Sequence, residues 1–259
     1  MTYYKDFNKD VKDLLTKNYT DAGVWKAEGK KKGPKDQLFI NVNGTSSSAV
    51  NVDAEFNPSG CGAKVKVNVD PALKWKLTAS YEEKGHKVEV VTDKALNYEV
   101  SYDGKVAGVA ISEKLTTKSV ETGLSYAVAK QVEVGGSAAF AFKDSSLKWA
   151  LGVRYACGKY LANVQTTQLQ KYVTGVSLPV PFAGKTATVA AQVECGQGAF
   201  AATVGTEIPC VLVPGNALRL RVTDKLAWSA AYIAKLPNSI KAAISFDAKL
   251  KPGLLITSE

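Results

Sequence analysis

From residue 22 onward, hydrophobic and polar residues alternate one by one in run after run. Leu38, Ile40 and Val42 interleave with Phe39 and Asn41; Val50, Val52, Ala54 and Phe56 interleave with Asn51, Asp53 and Glu55. Val65, Val67 and Val69 do the same with Lys64, Lys66 and Asn68. A period of two is the signature of a strand with two unlike faces. The next run sets Leu73, Trp75, Leu77 and Ala79 against Lys74, Lys76, Thr78 and Ser80, and it follows so closely that Pro71 and Ala72 predict a tight hairpin. Strands are predicted at 24–29, 37–43, 49–56, 63–69, 73–80, 87–91, 96–102, 106–111, 122–128 and 132–142. Others follow at 148–156, 160–167, 172–180, 186–194, 200–206, 218–223, 226–232, 240–250 and 254–258, which makes nineteen. The separators are turn chemistry, such as Asn57-Pro58-Ser59-Gly60, Asp103-Gly104, Cys157-Gly158, Ala183-Gly184 and Pro214-Gly215-Asn216. No helix-length gap interrupts them, so neighbours should pair antiparallel in one meander, at roughly 12 residues per strand and turn.

Residues 3–19 follow a different rule. Tyr4, Phe7, Val11, Leu14 and Leu15 fall on one stripe of a 3.6-residue period, with Lys5, Lys9 and Lys12 on one flank and Asp6, Asp10 and Asp13 on the other. The chain thus divides into an amphipathic helix segment, 1–21, and an all-β body, 22–259. The apolar stripe needs a surface: a sheet core, a membrane face and the inside of a barrel all qualify.

Alternation alone does not say which face meets water. A soluble sandwich turns its apolar face inward, and a membrane barrel turns it outward with the same period. Size and edges favour the barrel, because sandwiches hold about 7–9 strands and an open sheet of this width exposes edges that closure removes. Aromatic residues in the apolar register or near strand ends, including Trp25, Trp75, Tyr81, Tyr102, Tyr155 and Trp228, fit interfacial girdles.

Composition narrows the chemistry. The chain of 259 residues has a mean hydropathy of -0.08, and no apolar run approaches the roughly 20 residues of a spanning helix. Its 33 basic and 24 acidic side chains give a net charge of +9, and all the basic ones are lysine except Arg154, Arg219 and Arg221. Sequence-reading nucleic-acid binders rely on the planar fork of arginine, so the lysine excess argues against nucleic acid and for diffuse attraction of anions. Cys61, Cys157, Cys195 and Cys210 have no paired spacing and no neighbouring histidine, so no metal and no cofactor are expected, and a reducing compartment is. The N-terminus lacks the apolar core of a signal peptide and carries acids that a transit peptide avoids. Enzyme chemistry has little to work with: His86 follows Glu82-Glu83-Lys84-Gly85 and reads as a solvated turn residue. Lys64, Lys66, Lys74, Lys76, Arg154, Arg219, Arg221 and Lys241 all occupy the register opposite the apolar one, as do Asp53, Glu55, Glu89, Glu99, Glu133, Glu194 and Asp247. In a closed barrel that set lines a pore of cationic bias; on an open sheet it is a solvated face of mixed sign.

Asp13-Leu14-Leu15-Thr16-Lys17-Asn18-Tyr19, followed by Gly23-Val24-Trp25-Lys26, resembles the N-terminus of the voltage-dependent anion channels, the mitochondrial outer-membrane porins. Pro71-Ala72-Leu73-Lys74-Trp75-Lys76-Leu77 is similar to that family's G-L-K strand opening, with Ala72 in place of the glycine. The run from Leu226-Ala227-Trp228 to Lys249-Leu250-Lys251-Pro252-Gly253 is similar to its closing strands. The resemblance implies a nineteen-stranded transmembrane β-barrel whose first and last strands pair parallel around a lumenal helix. It implies a non-enzymatic, voltage-gated, anion-preferring pore in the mitochondrial outer membrane, exchanging ATP, ADP, phosphate and small metabolites, with homo-oligomers or docking proteins as partners in the bilayer. Lys17 matches the family's lysine that faces passing nucleotides, and Lys5, Lys9 and Lys12 share its helix. Lys251-Pro252-Gly253-Leu254-Leu255-Ile256 partly matches the insertion signal of mitochondrial barrels, with Ser258 in place of its last apolar residue. The family's glycine-rich hinge is reduced to Gly23. The carboxylate that some members carry on the lipid face of an early strand is missing where Val65, Val67 and Val69 stand. Two other functions fit the pattern: a protein-import pore of the same fold, and a soluble all-β binding module.

Overall fold

A computed structural model describes residues 1–20, 24–32, 38–46, 50–58 and 62–258. The expectations that rest on Asp21, Gly23, Gln37, Ala49, Ser59, Gly60 and Cys61 lie outside the described residues. One 3-10 turn, Tyr4–Asp6, precedes a single α-helix, α1 (Lys9–Thr16). Nineteen strands follow. The first seven are β1 (Trp25–Lys32), β2 (Leu38–Thr45), β3 (Val50–Phe56), β4 (Ala63–Val69), β5 (Trp75–Glu83), β6 (His86–Asp93) and β7 (Tyr98–Val106). The next six are β8 (Val109–Thr116), β9 (Ser119–Ala129), β10 (Val132–Ala141), β11 (Ser146–Cys157), β12 (Tyr160–Thr167) and β13 (Lys171–Phe182). The last are β14 (Lys185–Gly196), β15 (Ala199–Pro209), β16 (Ala217–Thr223), β17 (Trp228–Leu236), β18 (Ile240–Asp247) and β19 (Pro252–Ser258).

Every strand pairs antiparallel with its chain neighbours, and β1 pairs parallel with β19, from Trp25 opposite Leu254 to Gly29 opposite Ser258. The parallel seam follows from arithmetic. A meander reverses direction at each turn, so an odd number of strands brings the first and last together running the same way. Closure leaves no unpaired edge.

The register settles which face is which. Asp53 on β3 is 4% exposed and shares its side with Asn41, Asn68 and Lys66, whereas Val50 and Val52 stand 49% and 43% exposed on the other. The same parity runs around the ring, polar and small residues inward and most large aliphatic and aromatic ones outward, with Phe39, Leu161, Ile233 and Leu255 among the inward exceptions. That is the membrane-barrel solution, and it excludes the sandwich.

The turns divide by rim. Those after even-numbered strands lie at the end where β1 begins, here the proximal rim; those after odd-numbered strands lie at the distal rim. Pro71 and Ala72 lie in a tight hairpin, as expected, with a loop of three residues: Asp70 accepts the Leu73 amide at 3.0 Å and donates its own amide to Lys74 at 3.0 Å. This is a turn closed by one left-handed residue, Leu73, with φ 55°. Asp103-Gly104 is not a turn. Both lie inside β7, and the reversal falls at Ala107-Gly108. Gly104 has another reason to lack a side chain: Tyr102 and His86 close over its Cα. His86 is correspondingly not a turn residue, since it opens β6 on the outward face and its Nδ1 lies 2.8 Å from the Tyr102 hydroxyl.

Candidate functional site: the lumen and its helix

The helix lies inside the barrel, where its stripe is the best-buried apolar surface of the molecule. Phe7 and Val11 are fully buried, and Val11, Leu14 and Leu15 cluster with Leu161 and Ala190 of the wall. Burying each such side chain is worth about 1.5–3 kcal/mol. The wall makes room with glycines at inward positions. A Cβ on Gly205 would stand 2.8 Å from Leu15, and one on Gly135 or Gly152 would stand 3.0 or 3.1 Å from the Tyr4 ring. The segment expected as one helix over residues 3–19 is broken at Asn8, whose side chain accepts from Asn163 at 3.1 Å and donates to Gln192 at 2.8 Å. These wall bonds hold Asn8 at φ -103° and ψ 7°, off the helical path.

All three arginines address this segment. Arg219 donates to the carbonyl oxygens of Asp13 and Lys17 at 3.3 and 3.1 Å, and Arg221 donates to that of Leu15 at 3.1 Å. Carbonyls at the end of a helix carry its negative pole, and the last of them lack partners within it, so two guanidinium groups are favoured there. The Asp13 oxygen also accepts the Lys17 amide at 3.0 Å. Arg221 also lies over the Tyr19 ring at 4.3 Å, and burial pushes the Tyr19 phenol above its ordinary pKa. Arg154 pairs with Glu133 at 3.0 Å and reaches Asp10 at 3.8 Å, while Glu133 accepts the Thr2 amide at 2.8 Å and faces the N-terminal ammonium at 3.7 Å. Farther along the chain, the Thr20 amide donates to Ser245 at 3.1 Å.

The lysines divide into paired and unpaired groups. Lys66 meets Asp53 at 2.9 Å; on the helix, Lys17 meets Asp13 at 2.6 Å, Lys9 meets Asp6 at 3.8 Å and Lys5 meets Asp103. Lys64 and Lys76 point inward from β4 and β5, and neither they nor Lys12 makes an ion pair among the described residues. Lys241 points inward from β18. Lys74 sits in the proximal-rim loop ahead of β5 rather than on a strand face. By strand count, β4 and β5 stand across the barrel from β14, against which α1 packs. Cavities of about 270 and 360 Å³ run along that open wall, the first lined by Glu55, Lys64 and Lys66 and the second by Lys30, Asp53 and Lys66.

A family model of the eukaryotic porins matches residues 1–257. The chain belongs to the eukaryotic porin family. No curated protein sequence matches it. Family and barrel together make it a pore-forming channel of an outer membrane, and its wall, ring of inward side chains and docked helix are the parts of this porin that a solute meets.

Pattern reading missed two features. The helix seat could have been found from the glycines that interrupt polar registers at 135, 152, 175 and 205. Glu113 was hidden by its surroundings. It faces outward from the middle of β8 between Ile111 and Leu115, opposite Tyr102 and Thr122. Among the described strand residues the outward register is otherwise charged only at Lys31, Glu83 and Lys185, all at or next to strand ends. The signal was there, an acid in an apolar alternation.

Proposed function

We propose that this porin is an anion-preferring, voltage-gated pore that passes ATP, ADP, phosphate and small metabolites across the mitochondrial outer membrane. The observation that carries the reading is the position of Lys64 and Lys76, inward and outside any ion pair among the described residues, on the wall across from the helix. Paired charges cancel at a distance, so the field in the open lumen is set by those left over. Lys12, exposed on the helix, adds to it. Such a lining concentrates multivalent anions without a tight site, as conduction requires. Lys66 and Lys241 stand on the same inward face, and the helix with its charged flanks is the part that a transmembrane voltage would bias.

The test is a reversal potential in a planar bilayer under a salt gradient. The native channel is expected to favour anions, and Lys64→Glu with Lys76→Glu is expected to move the reversal potential toward cations. A native channel that favours cations, or a double variant that leaves the potential in place, overturns the proposal.

A further inference from the structure

The two rims turn with different residues: Gly85, Gly108 and Gly184 at the distal rim each follow a second left-handed residue, Lys84, Ala107 or Ala183, whereas four turns at the proximal rim hold one left-handed residue. Turns at the distal rim place glycine in the left-handed region at Gly85, Gly108, Gly158 and Gly184. Some turns at the proximal rim use Ser145, Gln168-Leu169 or Gln197-Gly198 there, but four place a single leucine: Leu73, Leu96, Leu226 and Leu250 have φ between 55° and 59°. In each, the leucine amide donates to the carbonyl three residues back, from Asp70, Asp93, Thr223 and Asp247 respectively. Glycine adopts this conformation freely and leucine does so at a cost, so the backbone alone does not explain the choice. Nor does packing within the chain, because these four side chains are 69–81% exposed.

Their direction along the chain supplies the rest. Each leucine stands two residues from an outward residue of the adjoining strand: Trp75, Tyr98, Trp228 and Pro252. The leucines therefore stand exposed just past the outward residues at the end of the sheet. All four tryptophans, Trp25, Trp75, Trp149 and Trp228, face outward in the proximal half, and the distal half has none. Exposed lysines share the loops, Lys74, Lys94, Lys225 and Lys249 among them, while Asp70, Asp93 and Asp247 turn back to accept loop amides at 2.8–3.0 Å.

We infer that the proximal rim is a lipid-binding collar, in which the leucines enter the boundary between acyl chains and headgroups of one leaflet and hold that end of the barrel at a fixed depth. The occupant is the bilayer itself, because the collar adjoins the lipid-facing register and brings indole, aliphatic and ammonium groups together at one end of the barrel, as such a boundary does. The inference rests on the transmembrane barrel and is independent of which solutes pass.

Since every tryptophan lies in this half, intrinsic fluorescence reports on it without labels. Full-length protein is folded into phosphatidylcholine vesicles whose acyl chains carry bromine at graded depths, and quenching is compared with that of Leu73→Gly/Leu96→Gly/Leu226→Gly/Leu250→Gly. Native quenching is expected to be strongest for bromine nearest the headgroups, and the variant is expected to show a profile shifted toward water. Glycine suits the backbone, so the variant's melting temperature in detergent micelles should match or exceed the native one. An unchanged profile overturns the collar, as does a lowered melting temperature, which would mean that the leucines hold the barrel together. Native tryptophans shielded from bromine at every depth would put a second copy on this face and also overturn it. Asparagine at the four positions, which tolerates the left-handed region, serves if the glycine variant does not fold. Conductance that survives a failed collar test leaves the channel reading intact.

Discussion

Arg219 and Arg221 sit one register step apart on an inward face, where a reading for pore function makes them anion sites. Their donors are instead taken up by the carbonyl oxygens of Asp13, Leu15 and Lys17, and Arg219 also pairs with Glu207 at 2.6 Å. A hydrogen bond to a charged group is worth about 1.5–3 kcal/mol, so the pair is a strong tie on the last helical turn. Replacing both by glutamine is expected to raise amide hydrogen exchange over residues 11–17 by at least tenfold while strand exchange stays put. Exchange that is unchanged over the helix would show that the apolar stripe alone holds it. Glu113 poses the opposite case, a carboxylate aimed at lipid from mid-strand. Placing a charge or a neutralised acid there costs up to about 2 kcal/mol. Glu113→Leu should accordingly raise the urea midpoint of unfolding from phospholipid vesicles, and a lower midpoint would mean that the acid makes a stabilising contact.

At the scale of elements, alternation made the number of strands legible because each has one apolar and one polar face, although the strand read at 106–111 straddles the reversal at Ala107-Gly108 and β8 runs on to Thr116. The helix segment was legible by the same logic, but not its break at Asn8, since the cause is a pair of bonds to Asn163 and Gln192, more than 150 residues away in the chain. Asp103-Gly104 misled because local turn chemistry and a cleared seat for an aromatic ring both call for glycine. The part that the arginines play at the helix was not legible, because it depends on what packs against the wall. Gly175 carries this dependence in one atom. A Cβ there would collide with the Asn8 amide and stand 2.8 Å from Asn163 Nδ2. Gly175→Ala is expected to detach the helix start while leaving the strands paired, so trypsin should cut at Lys5 and Lys9 in the folded barrel and spare the native protein. Equal resistance in both would mean that the wall yields to the extra methyl group.

For the whole molecule, a net charge of +9 says little until it is distributed. Much of the lumenal charge is cancelled within contact distance, as in Lys66 with Asp53, Arg154 with Glu133 and Lys171 with Glu194 at 2.8 Å. On the proposed reading, what remains acts across water on a passing ion: Lys64 and Lys76 on the wall and Lys12 on the helix among the cations, against inward acids such as Glu55 and Glu121. That action is sensitive to screening, whose length falls from about 10 Å at 0.1 M salt to about 3 Å at 1 M. Close pairs persist at high salt and the through-space bias does not. Anion preference measured under a fixed salt ratio should therefore fall toward none as mean salt rises from 0.1 to 1 M, while single-channel conductance keeps rising. A preference that holds at 1 M would mean that anions touch a fixed site in the lumen, and it would move the origin of selectivity from unpaired wall lysines to a contact with the helix.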